Sequence, residues 1–544
     1  MPKSVVSLVC ILALAAAASN ASAQTLTTLT TFNNTNGNQP LAGLILSGNT
    51  LYGTTILGGS SSLGTVFSVP VAGGAPTTLA TFNGTNGSQP YGTLILSGST
   101  LYGTTWQGGA SNLGTVFSVS VFGGTVTTLA SFNLANGASP YAGLILSGDT
   151  LYGTTDRGGA SNRGTVFSVP VTGGPVTTLV SFNTTIGTGP RAGLTLSGNT
   201  LYGTTFDGGA SNLGTVFAVQ VTGGAVTTLA SFNGANGQGP YAGLMLSGST
   251  LYGTTILGGS SSRGTVFAVP VTGGPVTTLA TFNFINGSNP YGGLTLVGNT
   301  LYGTARFGTA SDRGTVFSVP VTGGPHTTLV TFNNTNGAGP WAQMTLSGNT
   351  LYGTTGLGGT VGASSRGTVF ALALPCTAPS VTAQPANAAT CPSGAATFSI
   401  TASGTAPAYQ WQWQPAGPDT AWAALANGVN TNTQGTPAFD VSGATTPTMN
   451  IDSISGLGGN LRCIVTNACD SVTSNEATLT INTTDFDGDG DEGTDADIEA
   501  FFIAIAGGPC PAGTCGSIDF DGDGDEGTDA DIEAFFRVIA GGPC

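Results

Sequence analysis

A chain of 544 residues with 88 glycines and only 6% charged residues is too long for one ordinary domain and too poor in charge to be read as disordered. Its net charge of −15 is unevenly spread: 16 of the 25 acids fall between Asp485 and Glu533, whereas residues 24–375 hold four acids against seven arginines. Beyond Lys3 there is no lysine, so the clustered cations of a nucleic-acid interface are missing and no nucleic-acid partner is expected.

At the N-terminus Lys3 precedes an apolar run from Val5 to Ala18, and Ala21-Ser22-Ala23 follows. This pattern predicts a signal peptide over residues 1–23, removed before Gln24, and a secreted, extracellular or cell-surface protein. No second apolar run is long enough to span a bilayer, so no transmembrane segment is expected in the mature chain.

The next 350 residues are one unit written seven times. Leu-Tyr-Gly-Thr starts at residues 51, 101, 151, 201, 251, 301 and 351, and Gly-Thr-Val-Phe at 64, 114, 164, 214, 264, 314 and 367. In the first unit four β-like runs are predicted, Gly43–Ser47, Thr50–Thr55, Gly64–Val71 and Thr77–Phe82. Gly48-Asn49 and Gly73-Gly74 supply the positive φ that tight hairpins need. Four antiparallel strands per 50-residue repeat predict a mainly β fold, a seven-bladed β-propeller over residues 24–375. Thr27–Phe32 precedes the first full unit and the seventh stops after its third strand at Leu374, so the N-terminal strand is expected to complete the last blade. The motifs LxLSGxTLYGTT and RGTVFxVxxxGG resemble the Gloeo-Verruco tandem repeats of bacterial extracellular proteins. That resemblance implies a propeller-like surface protein and brings neither catalytic residues nor a known ligand.

Antiparallel strands put alternate connections on opposite faces. The short turns on one face hardly vary. The longer connections on the other do, reading Ile56-Leu57, Trp106-Gln107, Asp156-Arg157, Phe206-Asp207, Ile256-Leu257, Arg306-Phe307 and Gly356-Leu357 at one pair of positions. After a proline in the neighbouring connection come Leu41, Tyr91, Tyr141, Arg191, Tyr241, Tyr291 and Trp341. Two readings stay open: packing between repeats, or an aromatic surface for sugar rings or apolar ligands. The candidate ligand face comprises Tyr91, Trp106, Tyr141, Phe206, Tyr241, Tyr291 and Trp341. Titratable groups are few: Asp149, Asp156, Asp207, Asp312 and His326, the last in a turn and expected to be solvated. Asp156 and Asp207 lie on the variable face of adjacent repeats, which makes a glycosidase-like pair conceivable. No catalytic residue is assigned and no enzyme is expected.

From Cys376 the period vanishes. Residues 376–482 contain strand-like runs around Tyr409-Gln410-Trp411, Leu461–Val465 and Ala477–Ile481. This order resembles a bacterial immunoglobulin-like domain, which makes Trp411 its core tryptophan, although Ile400 stands where the usual second-strand cysteine falls. Cys376, Cys391, Cys463 and Cys469 allow three pairings. The resemblance favours Cys391–Cys463 and Cys376–Cys469.

Residues 483–544 carry DFDGDGDEGTDADIEAFF twice, at 485–502 and 519–536. Alternate carboxylates in a Gly-interrupted loop followed by an amphipathic helix suit Ca²⁺, which takes six to eight oxygens. Thr494 with Asp497 predicts a capping box, and Ile498, Phe501, Phe502 and Ile505 one apolar face. The segment resembles a dockerin, a pair of EF-hand halves. The resemblance assigns Asp485, Asp487, Asp489 and Asp497 to one calcium ion and Asp519, Asp521, Asp523 and Asp531 to a second. Asp497 and Asp531 fall one residue later than the usual closing acid, which leaves recognition of a cohesin-like partner open. Cys510, Cys515 and Cys544 make the mature cysteine count odd. Three functions follow as expectations. The first is a secreted, non-catalytic adhesion or binding protein; the second, a dockerin-bearing carbohydrate-binding component of a polysaccharide-degrading assembly; the third, a glycan-cleaving enzyme.

Overall fold

A computed structural model describes residues 24–359, 366–390, 395–405, 407–415, 421–431, 437–452, 458–467, 469–481, 493–506 and 527–540. The chain divides into two units, Met1–Pro375 and Cys376–Cys544. The expected signal peptide lies outside the described residues.

The first unit opens with β1 (Leu26–Thr31), followed by β2 (Ile45–Ser47), β3 (Thr50–Thr55), β4 (Thr65–Pro70) and β5 (Thr77–Thr81). Strands β2 to β5 form an antiparallel sheet in chain order, and six further sheets repeat the pattern, two of them with one extra short strand. Gly48 takes φ +54 at the first central position of the β2–β3 hairpin, as a type II′ turn requires. Gly53 faces Phe67 across β3 and β4. A Cβ at Gly53 would stand 2.7 Å from the Phe67 ring and 2.9 Å from Leu44, so the two repeated motifs are halves of one contact. Phe67 in turn meets Phe32 edge to face at 4.9 Å. Equivalent pairs join every repeat to the next, from Phe82–Phe117 at 5.0 Å to Phe332–Phe370 at 5.4 Å. Each ring buried at such a seam is worth roughly 1.5–3 kcal/mol. A buried hydroxyl pair, Thr55 with Thr65 at 2.8 Å, also recurs. In the sixth repeat Ala305 replaces the first threonine, and the buried Thr315 hydroxyl has no protein partner.

The seventh sheet is completed from the other end of the unit. β1 pairs antiparallel with Thr368–Ala373, from Leu26 opposite Leu372 to Thr31 opposite Thr368. Phe32, Leu51, Phe67, Tyr352 and Val369 share one core cluster between the seventh sheet and the first. The Thr354 hydroxyl donates to the Ala42 carbonyl at 3.0 Å, just as Thr104 donates to Ala142 at 2.8 Å.

In the second unit, strands over 388–390, 408–415, 423–424, 459–466, 471–473 and 477–481 form one sheet, and 396–399, 428–431, 437–442 and 448–452 another. Both contribute to one core, where Trp411 is fully buried and its indole N–H donates to Thr446 O at 3.0 Å. Cys376 and Cys469 form a disulfide with Cα atoms 6.1 Å apart. The pairing expected for Cys463 is corrected: its thiol is free and buried among core residues that include Ile400. Thr390 lies level with Ile481, two residues beyond the Leu479 that faces Gly459. Cys463 stands four residues past Gly459 in the opposite direction, so about 20 Å of strand separates it from Thr390. Cys391 itself is outside the described residues.

The unit also holds α1 (Asp495–Ile505) and α2 (Asp529–Ile539), each opened by a capping box, Thr494 with Asp497 and Thr528 with Asp531. Phe501 stacks on Phe535 at 3.8 Å. Phe502, expected on the buried face, is 41% exposed and its counterpart Phe536 40%, because Ala500 and Ala534 occupy the inward positions instead. No helix among the described residues is long and apolar enough to cross a membrane.

Candidate functional site

Each connection leading into a repeat is built to deliver one side chain. The residue before its proline is left-handed in all seven copies, from Asn289 at φ +53 to Gly239 at φ +63. Proline then fixes the next φ, and the chain turns inward. Beside it runs the other variable connection: Asn38 and Leu57 exchange backbone hydrogen bonds at 2.9 and 3.1 Å. Both kinds of variable position therefore share one rim.

Leu41, Tyr91, Tyr141, Arg191, Tyr241, Tyr291 and Trp341 converge around one cavity of about 540 Å³, whose wall continues through the three residues after most of them. Tyr91 stacks on Tyr141 at 4.4 Å, and Tyr291 on Trp341 at 4.2 Å. Tyr241 meets Tyr141 at 5.4 Å, Tyr291 at 5.0 Å and Trp341 at 5.9 Å, edge to face. From the outer positions Trp106 reaches Tyr91 at 6.0 Å and Phe206 reaches Tyr241 at 6.0 Å. All seven residues of the expected aromatic face are thus brought together as one collar. Each collar ring is only half-buried, so packing between repeats does not use all of its surface.

Burial pushes the phenols of Tyr91, Tyr141 and Tyr241 up from the ordinary tyrosine range, although Tyr91 and Tyr141 are partly relieved by accepting hydrogen bonds from Tyr141 and Tyr241 respectively. They stay protonated at neutral pH and present hydroxyl groups at the collar.

Two cations, Arg191 and Arg306, stand among these rings. Arg191 donates through Nε to Asp156 at 2.8 Å, and its guanidinium lies 4.1 Å over the Phe206 ring. Burial lowers the pKa of Arg191, but the Asp156 charge and hydrogen bond outweigh it and leave the guanidinium raised. Burial raises the carboxyl of Asp207, with Arg191 opposing and Asp156 reinforcing the shift. Asp156 therefore serves an arginine. Arg306 stands 4.2 Å over Trp341, 4.7 Å over Phe307 and 5.3 Å from Tyr291. A signal for these contacts was present in the sequence. Where glycine precedes the proline, a rim side chain of the preceding repeat leans toward it. A Cβ on Gly189 would stand 3.0 Å from Asp156 Oδ1, one on Gly239 3.1 Å from Phe206, and one on Gly339 4.0 Å from Arg306.

His326, expected to be solvated, is half-buried at the seam between the fifth and sixth repeats. Its ring lies 4.7 Å from Phe282 and Nε2 is 3.1 Å from the Asn286 carbonyl, so burial lowers its pKa. Asp149 is exposed on a short turn, and Asp312 accepts from Gly308 N–H at 2.9 Å. Of the expected calcium ligands, Asp485, Asp487, Asp489, Asp519, Asp521 and Asp523 lie outside the described residues. Asp497 and Asp531 are fully buried; Asp497 accepts from the Thr494 N–H and hydroxyl at 2.8 and 3.0 Å.

Among known families, the Gloeobacter/Verrucomicrobia repeat matches residues 19–212 and 171–370. No curated protein matches the chain. Among solved structures, the chain is similar to a subtype N11 neuraminidase-like protein of A/flat-faced bat/Peru/033/2010 (H18N11), with 11% identity, a TM-score of 0.31, and 64% of this chain and 93% of that one covered. It is similar to a mutant of AofleA from Arthrobotrys oligospora at 10% identity and TM-score 0.34, over 56% and 89% of the two chains. A chimeric titin Z1Z2 matches at 18% identity and TM-score 0.15, over 20% and 97%.

Proposed function

The chain belongs to the Gloeobacter/Verrucomicrobia repeat family, and we propose that its repeats form a seven-bladed β-propeller, the ligand-binding head of a secreted, non-catalytic surface protein. One observation carries this reading: a single position of the repeat, in seven copies, gathers five aromatic rings around one cavity. The N-terminal strand in the seventh sheet supports closure of the propeller. Half-buried rings with hydroxyl edges offer apolar faces to the C–H face of a sugar and hydrogen-bonding groups to its hydroxyls, so a glycan is the ligand class. A glycan array probed with the full chain should give binding that Tyr291→Ala with Trp341→Ala removes. A parent protein that retains no glycan would sink the proposal. No catalytic residue is assigned: Asp156 is held by Arg191 at 2.8 Å, which speaks against a free carboxylate pair with Asp207.

Residues 376–482 are read as an immunoglobulin-like spacer and 483–544 as a dockerin-like module holding two calcium ions. In each copy three loop aspartates would join a carboxylate already buried at a helix start, an all-oxygen donor set suited to a hard cation. Calorimetry on the full chain should count two calcium ions, and Asp485→Ala with Asp519→Ala should abolish that heat. A parent protein without calcium-dependent heat at several millimolar would reduce the repeats to a solvated tail. A second reading, in which this tail docks on a cohesin-like partner, draws support from the exposed Phe502 and Phe536, 6.0 Å apart.

A further inference from the structure

The collar's cations differ in what surrounds them. Arg191 is neutralised by Asp156, with Asp207 nearby. Arg306 forms no ion pair among the described residues, whose three ion pairs lie elsewhere. No protein acceptor there meets its guanidinium either, which is held instead by the rings of Trp341, Phe307 and Tyr291. An arginine lying on an indole keeps its N–H donors at the edge of the plane, where a planar carboxylate can pair with two of them. Gly339 leaves open space beside its stem, since a Cβ there would have only Arg306 Cγ, at 4.0 Å, for company. The six equivalent positions hold Ile56, Trp106, Asp156, Phe206, Ile256 and Gly356, so the cation belongs to this repeat alone.

The charge of the whole face agrees. All seven arginines of residues 24–375 stand in the variable connections, against three aspartates; the fourth, Asp149, is on a short turn of the opposite face. The connections share one rim because backbone carbonyls of the arginine-bearing ones, such as Arg163 and Arg313, accept from Gly189 and Gly339 at 2.9 and 2.8 Å. A surplus of one sign around a half-buried cavity draws ligands of the other sign.

We infer that the collar selects an acidic saccharide, with a uronate ring against the Tyr291–Trp341 pair and its carboxylate on Arg306. This rests on reading the collar as a glycan site. Titrate the full chain with a galacturonate oligomer, its fully methyl-esterified form, a sulfated oligomer of a neutral sugar, and a single-stranded oligonucleotide. The free acid should bind at least tenfold tighter than the ester. Arg306→Gln should bring the acid down to the ester's affinity, and Arg306→Lys should restore only part of the preference because it lacks the planar fork. Equal affinity for acid and ester, with binding still lost in Trp341→Ala, would overturn the acidic assignment and leave the collar reading intact. Sulfated sugar or oligonucleotide bound as tightly as the free acid would overturn the carboxylate assignment. If neither acid nor ester binds, both readings fall.

Discussion

The seams between repeats and the collar are each made of seven equivalent positions, and they treat sequence in opposite ways. At every seam one phenylalanine meets another: Phe82 and Phe117 are each 0% exposed, and the pattern holds from the first repeat to the last. At the collar the equivalent residues run from Leu41 through five aromatics to Arg191, and all are half-buried. A seam must satisfy the same neighbour seven times, so it tolerates one solution. The collar faces a common space in which the copies differ from one another. Uniform positions hold the unit together; dissimilar ones are where a ligand can be discriminated.

Breaking the uniform half should have the largest effect. Deleting Thr25–Asn33 removes β1 and Phe32, leaving the seventh sheet with an open edge and the first without its ring contact. Loss of the cooperative thermal transition is expected; an unchanged melting temperature would mean the strand is dispensable. Phe117→Ala should cost about 3–5 kcal/mol by denaturant titration. Trp341→Ala, at the collar, should cost only about 1 kcal/mol, the scale of one aromatic pair, while removing ligand binding. Equal losses from the two substitutions would erase the distinction between the regions. The smallest change sharpens it: Ala305→Thr restores the hydroxyl partner that Thr315 lacks and should add about 1 kcal/mol. A destabilised variant would show that the sixth repeat has repacked around the alanine.

Most of the strand pattern was readable because a repeat multiplies weak local signals. Thr50–Thr55 is predicted and observed with the same bounds, and the phase of the repeat located β1 to within a residue at each end. The collar was half legible. A proline followed by a ring, repeated, marked the positions, but not that Tyr141 and Tyr241 would meet at 5.4 Å past an intervening repeat. What sequence could not supply were contacts between distant segments. Arg191 finds Asp156 across 35 residues. His326 looks like a turn residue until Phe282 and the Asn286 carbonyl of the previous repeat are set against it. Cys463 is similar: its own strand says only that it faces inward, and the core packed around it from both sheets leaves its thiol free.

The pairing of Leu26 with Leu372 also has a consequence in time. A chain that emerges N-terminus first delivers β1 at the outset and its partner, Thr368–Ala373, only after six sheets have been made. Until then β1 is a strand without a ladder, carrying a phenylalanine without a seam. The entropy of bringing such distant ends together rises only with the logarithm of the intervening length, so added repeats would delay closure little. Crowding is the greater hazard. Two chains in which Thr368–Ala373 has emerged but β1 has not yet paired hold identical strands and identical vacancies, and each can receive the other's β1 as readily as its own. Slow pairing after the last repeat emerges therefore favours exchanged dimers, whereas prompt pairing keeps β1 on its own chain.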